Sequence, residues 1–319
     1  MSYANTNRLV STTLKNYRKK LIDNLTYSQV VVDMIRRMGG VRTLDGGTSI
    51  VEHLLYETNP SVKTYNGLDV LDKSPSEGIS TAEFDWKQMS GLAQWSGREE
   101  FMNGGSAERL INLADAIIEQ LETSFAIKLN LMTFGDGTAN GGKDWGGLAL
   151  LVEDGTAWST VGTINSDTWT FWRNVWSGSA GSFASNGITK VRTAFNDVTR
   201  HGERPNLMVT DQNMYEAYEK ILTLTLRITD VETPGDNGMR SLRYKGVPLG
   251  FDDDCTAGYW YILNTKYLHL NFGKGREMKS TEVMMPPDQD AKMTRSFMYG
   301  NYSTNCRKMN AVITGFTVP

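Results

Sequence analysis

Residues Ser106 to Phe134 constrain this chain more than any other stretch. Leu110, Ala114, Ile117, Leu121, Phe125, Leu129 and Met132 recur at helical steps of three and four, while Glu108, Asp115, Glu119 and Glu122 fall on the opposite face. Ser106 supplies a cap at the start and Gly135 a stop at the end. An unbroken helix here is a rod of about 40 Å. Just upstream, residues 48–96 read as two extended arms around a turn-rich tip. The first arm is Ser49-Ile50-Val51-Glu52-His53-Leu54-Leu55-Tyr56. The return arm contains the strictly alternating Glu83-Phe84-Asp85-Trp86-Lys87. Asn59-Pro60, Asn66-Gly67, Ser74-Pro75 and Glu77-Gly78 between them are turn signals. An irregular tip longer than about 20 residues does not suit the interior of a compact domain. The tip is therefore expected to reach outward and find its order on another subunit. A rod beside a projecting hairpin suits a tile that grips its neighbours better than a compact enzyme.

Composition narrows the partners. With 319 residues the chain can build a sizeable core, and a net charge of −3 gives it no global basic field. The basic clusters Lys15, Arg18, Lys19, Lys20 and Arg36, Arg37 read as solvated helix faces. The two cysteines, Cys255 and Cys306, make neither a metal spacing nor a disulfide framework and fit a reducing compartment. No apolar run is long enough for a membrane span, and the N-terminus carries no signal-peptide core, so a cytosolic protein is expected.

The chemical motifs resolve into ordinary structure. Gly137-Thr138-Ala139-Asn140-Gly141-Gly142-Lys143-Asp144 fits a phosphate loop until its last position, where Asp144 stands in place of the Ser or Thr that holds Mg²⁺. The loop also follows a helix rather than a strand, so it reads as a glycine-rich helix-to-strand connection. Asp252, Asp253 and Asp254 point in different directions on any extended backbone and read as a surface turn. His53, His201 and His269 each stand alone. The carboxylate pairs Glu99 with Glu100, and Asp85 with Glu83, are the chance neighbours expected among 36 acidic residues. No cofactor and no metal is expected, and no enzyme.

Elsewhere, residues 5–38 read as an N-terminal helical arm ended by Gly39 and Gly40. Residues 148–180 mix short strands with the aromatic run Trp169, Phe171, Trp172 and Trp176. Helices are expected over about 186–200 and after Asp211, with Leu207-Met208-Val209-Thr210 a short buried strand between them. Residues 242–272 are strand-rich, and Phe297 to Gly315 forms one or two final strands. No interdomain linker is visible, which suggests interleaved domains.

The order of these elements and several local strings resemble the major capsid protein of tailed bacteriophages, with its Hong Kong 97-like fold. The strings are Val41-Arg42-Thr43-Leu44-Asp45-Gly46-Gly47-Thr48, Ala82-Glu83-Phe84-Asp85-Trp86-Lys87, Ser96-Gly97-Arg98-Glu99-Glu100, Phe134-Gly135-Asp136-Gly137-Thr138, Tyr244-Lys245-Gly246-Val247-Pro248, Leu263-Asn264-Thr265-Lys266-Tyr267-Leu268 and Tyr299-Gly300-Asn301.

The resemblance implies an α+β layout: an N-terminal arm over 1–40, an extended β-hairpin loop over 41–100, a peripheral domain with the spine helix over 101–150, an axial domain over 151–290, and C-terminal strands over 291–319 returning to the peripheral domain. It implies a shell-forming subunit around the double-stranded DNA genome of a tailed phage, located in the virion capsid and, during assembly, in the host bacterial cytoplasm. Its partners are copies of itself in capsomers, a portal, DNA on the inner face and a possible decoration protein, with no membrane. Because the chain begins almost at the arm, a separate scaffolding protein is expected. The positive arm is a candidate for contact with DNA or scaffold. No crosslink is expected at Lys63 or Lys73.

Tyr56, Tyr65, Phe84 and Trp86 are candidate apolar anchors between subunits. Arg98, Glu99 and Glu100 are candidates either for ion pairs between subunits or for exposed local pairs. Three rivals remain: an encapsulin-like compartment with an enzyme cargo, a nucleotide-using enzyme built on residues 137–144, and a monomeric carbohydrate module exploiting the tryptophans.

Overall fold

Helix α1, Val30–Arg37, places Val30, Val31, Val32 and Ile35 in the core, so this part of the expected arm is structural centre rather than appendage. Its end is a Schellman motif. Gly39 takes φ +71°, the Gly40 N–H donates to the Ile35 carbonyl at 2.8 Å, and the Gly39 N–H donates to that of Arg36 at 3.1 Å. The computed structural model describes residues 29–70, 77–102, 113–200, 202–225 and 242–317.

Strands β1 (Val41–Leu44), β2 (Ser49–Leu55), β3 (Ile79–Asp85) and β4 (Lys87–Ser96) follow, then helix α2 (Gly97–Met102). The rod is helix α3, Leu113–Phe134; residues 106–112 of the expected rod lie outside the described residues. At about 33 Å it remains long. Phe125, Leu129 and Met132 are buried, and Asp115, Glu119 and Glu122 exposed, as the apolar stripe requires. Next come β5 (Thr160–Val161), β6 (Ile164–Asn165), β7 (Val175–Ser177) and β8 (Gly181–Ser182). Helix α4 (Ile188–Val198), β9 (Leu207–Thr210) and helix α5 (Gln212–Thr225) continue the chain. It closes with β10 (Leu242–Tyr244), β11 (Val247–Phe251), β12 (Trp260–Leu263), β13 (Leu268–Gly273), β14 (Lys279–Ser280), β15 (Ala291–Thr304), β16 (Ala311–Ile313) and β17 (Phe316–Thr317).

Two sheets organise these elements. In one, β1 runs parallel to β13, β13 pairs with the 14-residue β15, and β15 pairs with β4 over ten positions from Ala291–Ser96 to Gly300–Lys87. Helix α3 packs on β4 beside Gly91, where an added Cβ would meet Leu121 at 2.4 Å and Phe125 at 2.7 Å. The buried Thr133 and Tyr302 hydroxyls, 2.6 Å apart, fasten the helix to β15. The other sheet has the order β10-β11-β9-β12-β16-β7, with α4 and α5 packed against it. Its middle strands β9, β12 and β16 are buried throughout, as continuous apolar runs predict for strands covered on both faces. The chain crosses between the sheets repeatedly: β13, β14 and β15 build the first, while β12 before them and β16 after them build the second.

A single buried ion pair anchors the last crossing. Arg307 and Glu153 meet at 2.7 Å, and the guanidinium also donates to the Leu151 carbonyl, Ser166 Oγ and Asn174 Oδ1.

Candidate assembly surface

The hairpin carries the candidate surface. Strands β2 and β3 pair in antiparallel register from Ser49–Asp85 to Leu55–Ile79. Alternation puts Ile50, Leu54, Ala82 and Phe84 on a buried face. At the distal end the pattern inverts. Leu55, Val62, Tyr65, Leu68, Val70 and Ile79 are all at least two-thirds exposed, Leu68 completely. So many large apolar side chains on one projecting element mark an interaction surface.

The paired strands of the hairpin are held along their length by their own chain. The Glu83 N–H donates to the Gly162 carbonyl at 2.9 Å, and the β5–β6 turn lies so close that a Cβ on Gly162 would stand 2.9 Å from Ala82 Cβ and 3.0 Å from Phe84 Cζ. The Tyr56 ring stacks on Phe171 at 4.9 Å and meets Trp169 edge-on at 6.2 Å, and its hydroxyl donates to the Glu77 carbonyl at 2.7 Å. On the first arm the buried Glu52 accepts from Arg42 at 2.9 Å and from Ser303 Oγ at 2.8 Å. Arg42 also reaches His269 Nε2 at 2.8 Å. Burial first, and the Arg42 charge second, lower the His269 pKa to about 4, against the opposing pull of Glu52.

The predicted contact residues therefore separate. Tyr65 is exposed on the tip. Phe84 is buried near the root, Tyr56 is half-buried against Phe171 where the paired strands give way to the tip, and Trp86 is half-buried between β3 and β4. Arg98 is exposed at the start of α2. Glu99 is buried and closes a capping box: its Oε2 accepts from the Ser96 N–H at 2.9 Å, and Ser96 Oγ accepts from the Glu99 N–H at 3.2 Å. The Ser96-x-x-Glu99 spacing announces that box. Glu100 pairs with Lys292 of β15 at 2.6 Å. Glu99 and Glu100 thus act separately.

The motifs that invited chemistry have structural occupations. In the glycine-rich loop Asp144 pairs with Lys128 of α3 at 2.7 Å, Lys87 Nζ donates to the Gly142 carbonyl at 2.5 Å, and Asn140 and Gly141 are left-handed. The surface-turn reading of the aspartate triplet holds for Asp253, which is exposed, and fails for Asp252, which is fully buried because Asn130 of α3 donates to it across the packed interface. His53 is exposed and His269 buried; His201 lies outside the described residues, as do Lys15, Arg18, Lys19, Lys20 and Lys73. Among the described residues no three His, Cys, Asp or Glu side chains are grouped to hold a metal ion, and no helix is long and apolar enough to cross a membrane.

No known protein-family pattern matches the chain, and no curated protein sequence matches it. In three dimensions it is similar over nearly its whole length to subunits of protein shells. A chain of the cyanophage A-1(L) capsid asymmetric unit aligns at TM-score 0.67 and 14% identity, covering 95% of this chain and 97% of that one. A chain of the capsid of an empty GTA particle aligns at TM-score 0.63 and 10% identity, covering 92% and 99%. A chain of the holo-SrpI encapsulin complex from Synechococcus elongatus aligns at TM-score 0.56 and 9% identity, covering 93% and 92%. The fold is that of viral shell subunits. More narrowly, it is the Hong Kong 97-like phage-capsid fold, in a mixed α+β chain.

Proposed function

We propose that this chain is the major capsid protein of a tailed bacteriophage, assembling into the icosahedral shell around its double-stranded DNA. The observation that carries the reading is the uncovered apolar tip of the hairpin on a chain whose fold matches shell subunits from end to end. Each contact of such a tip can be weak, because a closed shell repeats it many times. The sheet containing β15, with α3, is assigned to the peripheral domain and the six-stranded sheet with α4 and α5 to the axial domain. This moves β13 and β14 out of the axial stretch expected over 151–290, and β16 out of the peripheral stretch expected over 291–319. Tyr65, Arg98 and Glu100, the last paired with Lys292, are the contact candidates left exposed by their own chain. The remaining partners follow from the role: a separate scaffolding protein, a portal, DNA on the inner face and a decoration protein. The place of action is the virion capsid, after assembly in the host cytoplasm, with no catalytic step.

The likeness to an encapsulin subunit supports a second reading, a compartment that encloses an enzyme. Negative-stain microscopy of material purified from cells that make the chain together with its scaffolding, portal and packaging partners, followed by nuclease digestion, separates the two. Regular shells containing nuclease-protected DNA are expected. Regular shells holding a protein cargo and no DNA would favour the compartment, and a stable lone subunit would refute both.

A further inference from the structure

One buried polar contact between α3 and the six-stranded sheet leaves two acceptors without a donor. Asn130, on α3, spends both amide hydrogens: Nδ2 donates to Asp252 Oδ1 at 2.9 Å and to Asp254 Oδ2 at 2.7 Å. That fixes the amide orientation, since the reverse would aim its oxygen at two carboxylates. Asp252, in the turn after β11, is fully buried, and its Oδ1 also accepts the Asp254 N–H at 3.1 Å. Two atoms of the contact are left over. Asn130 Oδ1 and Asp252 Oδ2 are both sealed from solvent, and neither has a hydrogen-bond partner. Two buried acceptors on one bonded pair lack exactly one hydrogen.

We propose that Asp252 takes up a proton in mildly acidic solution and that its Oδ2–H then donates to Asn130 Oδ1, closing an acid–amide ring that acts as a proton-dependent strut between the long helix and the sheet. The proton comes from water and no other bond changes. The charges around the group favour this state. Asp253 and Asp254 flank it on its own turn, Asp211 stands at the head of α5 with its carboxylate on the Gly258 N–H, and the neighbouring Cys255 thiol is itself raised by burial and then by Asp211 and Asp252. Burial is the largest influence on Asp252 and raises its pKa to about 6 against the Asn130 and Asp254 N–H hydrogen bonds, which favour the charged form; Asp254 and Asp253 add to the rise, and no cation is among the influences. Because the native value lies above the ordinary 3.8, the strut contributes fully below that ordinary value and is lost as pH rises through about 6. The lone subunit has this property whether or not it builds a shell.

The test compares the full chain with Asp252→Asn, in which an amide–amide pair reproduces the ring without a proton. Denaturation midpoints are measured from about pH 5 to about pH 8. The wild-type midpoint is expected to fall relative to the variant across that interval, and parallel curves would overturn the proposal. Should the variant fail to fold, the infrared spectrum of the wild type decides alone. A protonated-carboxyl band that bleaches as pH rises through about 6 supports the strut, and its absence overturns it.

Discussion

Arg307 and Glu153 lie 154 positions apart and form an ion pair at 2.7 Å whose side chains are 0% and 6% exposed. Breaking one partner of such a pair costs about 3–5 kcal/mol, because the survivor is a buried uncompensated charge. Arg307→Met is expected to lower the unfolding free energy by that order in a denaturant titration of the soluble subunit. It strands the Leu151 carbonyl and Ser166 Oγ as well as the carboxylate. Glu153→Gln added to Arg307→Met removes the stranded charge, and the double variant should recover part of the loss. Equal loss in the two variants would mean that packing, not charge, dominates at this site.

His269 gives a pH dependence of the opposite sign to that of Asp252. Its native pKa of about 4 lies below the ordinary 6.5, so the unfolded chain takes up a proton first as pH falls. The contribution is complete above the ordinary value and is lost between about 6.5 and about 4, to a total of roughly 3 kcal/mol. Arg42 donates to Nε2, so the neutral ring carries its hydrogen on Nδ1. His269→Gln should flatten that part of the stability–pH curve, as read by denaturant midpoints in a series of buffers. An unchanged slope would show that the ring is not the titrating group.

Gly147 sits where no side chain fits. An added Cβ would lie 2.1 Å from the Met132 carbonyl oxygen and 2.3 Å from that of Thr133, at the C-terminal end of α3. Both are backbone atoms of a helix docked on a sheet, so neither can swing away. Gly147→Ala is expected to cost about 1–3 kcal/mol, the usual range for overpacking, seen as a drop in thermal midpoint. Gly141→Ala is the control for space. Nothing lies within 4 Å of its added Cβ, so its cost should come only from the left-handed φ of +68°.

What the sequence disclosed follows from which forces act locally. The helical spacing of Val191, Phe195 and Val198 registers burial directly, with Ile188 left exposed at the start of α4, and the alternation of Glu83 to Lys87 marks the end of β3 and the start of β4. Residues 87–96 read as the continuation of the hairpin's return arm, whereas they form a separate strand, β4, whose place is set by the ten-position pairing with β15, some two hundred residues away. The same long-range pairing extends β15 back to Ala291, well before the apolar run at Phe297. Tyr56 and Phe84 looked like anchors for a neighbour because aromatic residues on a projecting arm invite that reading. The segment that covers them, residues 160–172, carries no sequence mark of its destination. Asp252 and Arg307 are buried ionisable groups, and burial of such a group is decided by partners far along the chain, Asn130 and Glu153. Ser96 and Glu99 were the exception, a site feature written in adjacent residues.

The hairpin provides the most direct test of the assembly reading. Tyr56 and Glu77 close the base of its tip through the 2.7 Å hydroxyl–carbonyl bond, and the Tyr56 N–H donates to the Gly78 carbonyl at 3.0 Å. Residues 58–76 can therefore be replaced by Asn-Gly, a pair that favours tight hairpin turns, while β2, β3 and the Tyr56–Phe171 stack stay intact. The shortened chain loses Val62, Tyr65, Leu68 and Val70, all exposed and thus contributing little to the fold of the lone subunit. It is expected to remain soluble, with a thermal midpoint within a few degrees of the full chain, and to form no regular shells under the microscope. A milder variant, Tyr65→Ala with Leu68→Ser, should raise the protein concentration needed for assembly without changing that midpoint. Normal particles from the shortened chain would show that the tip is dispensable. The contacts that close the shell would then have to lie on the body of the subunit.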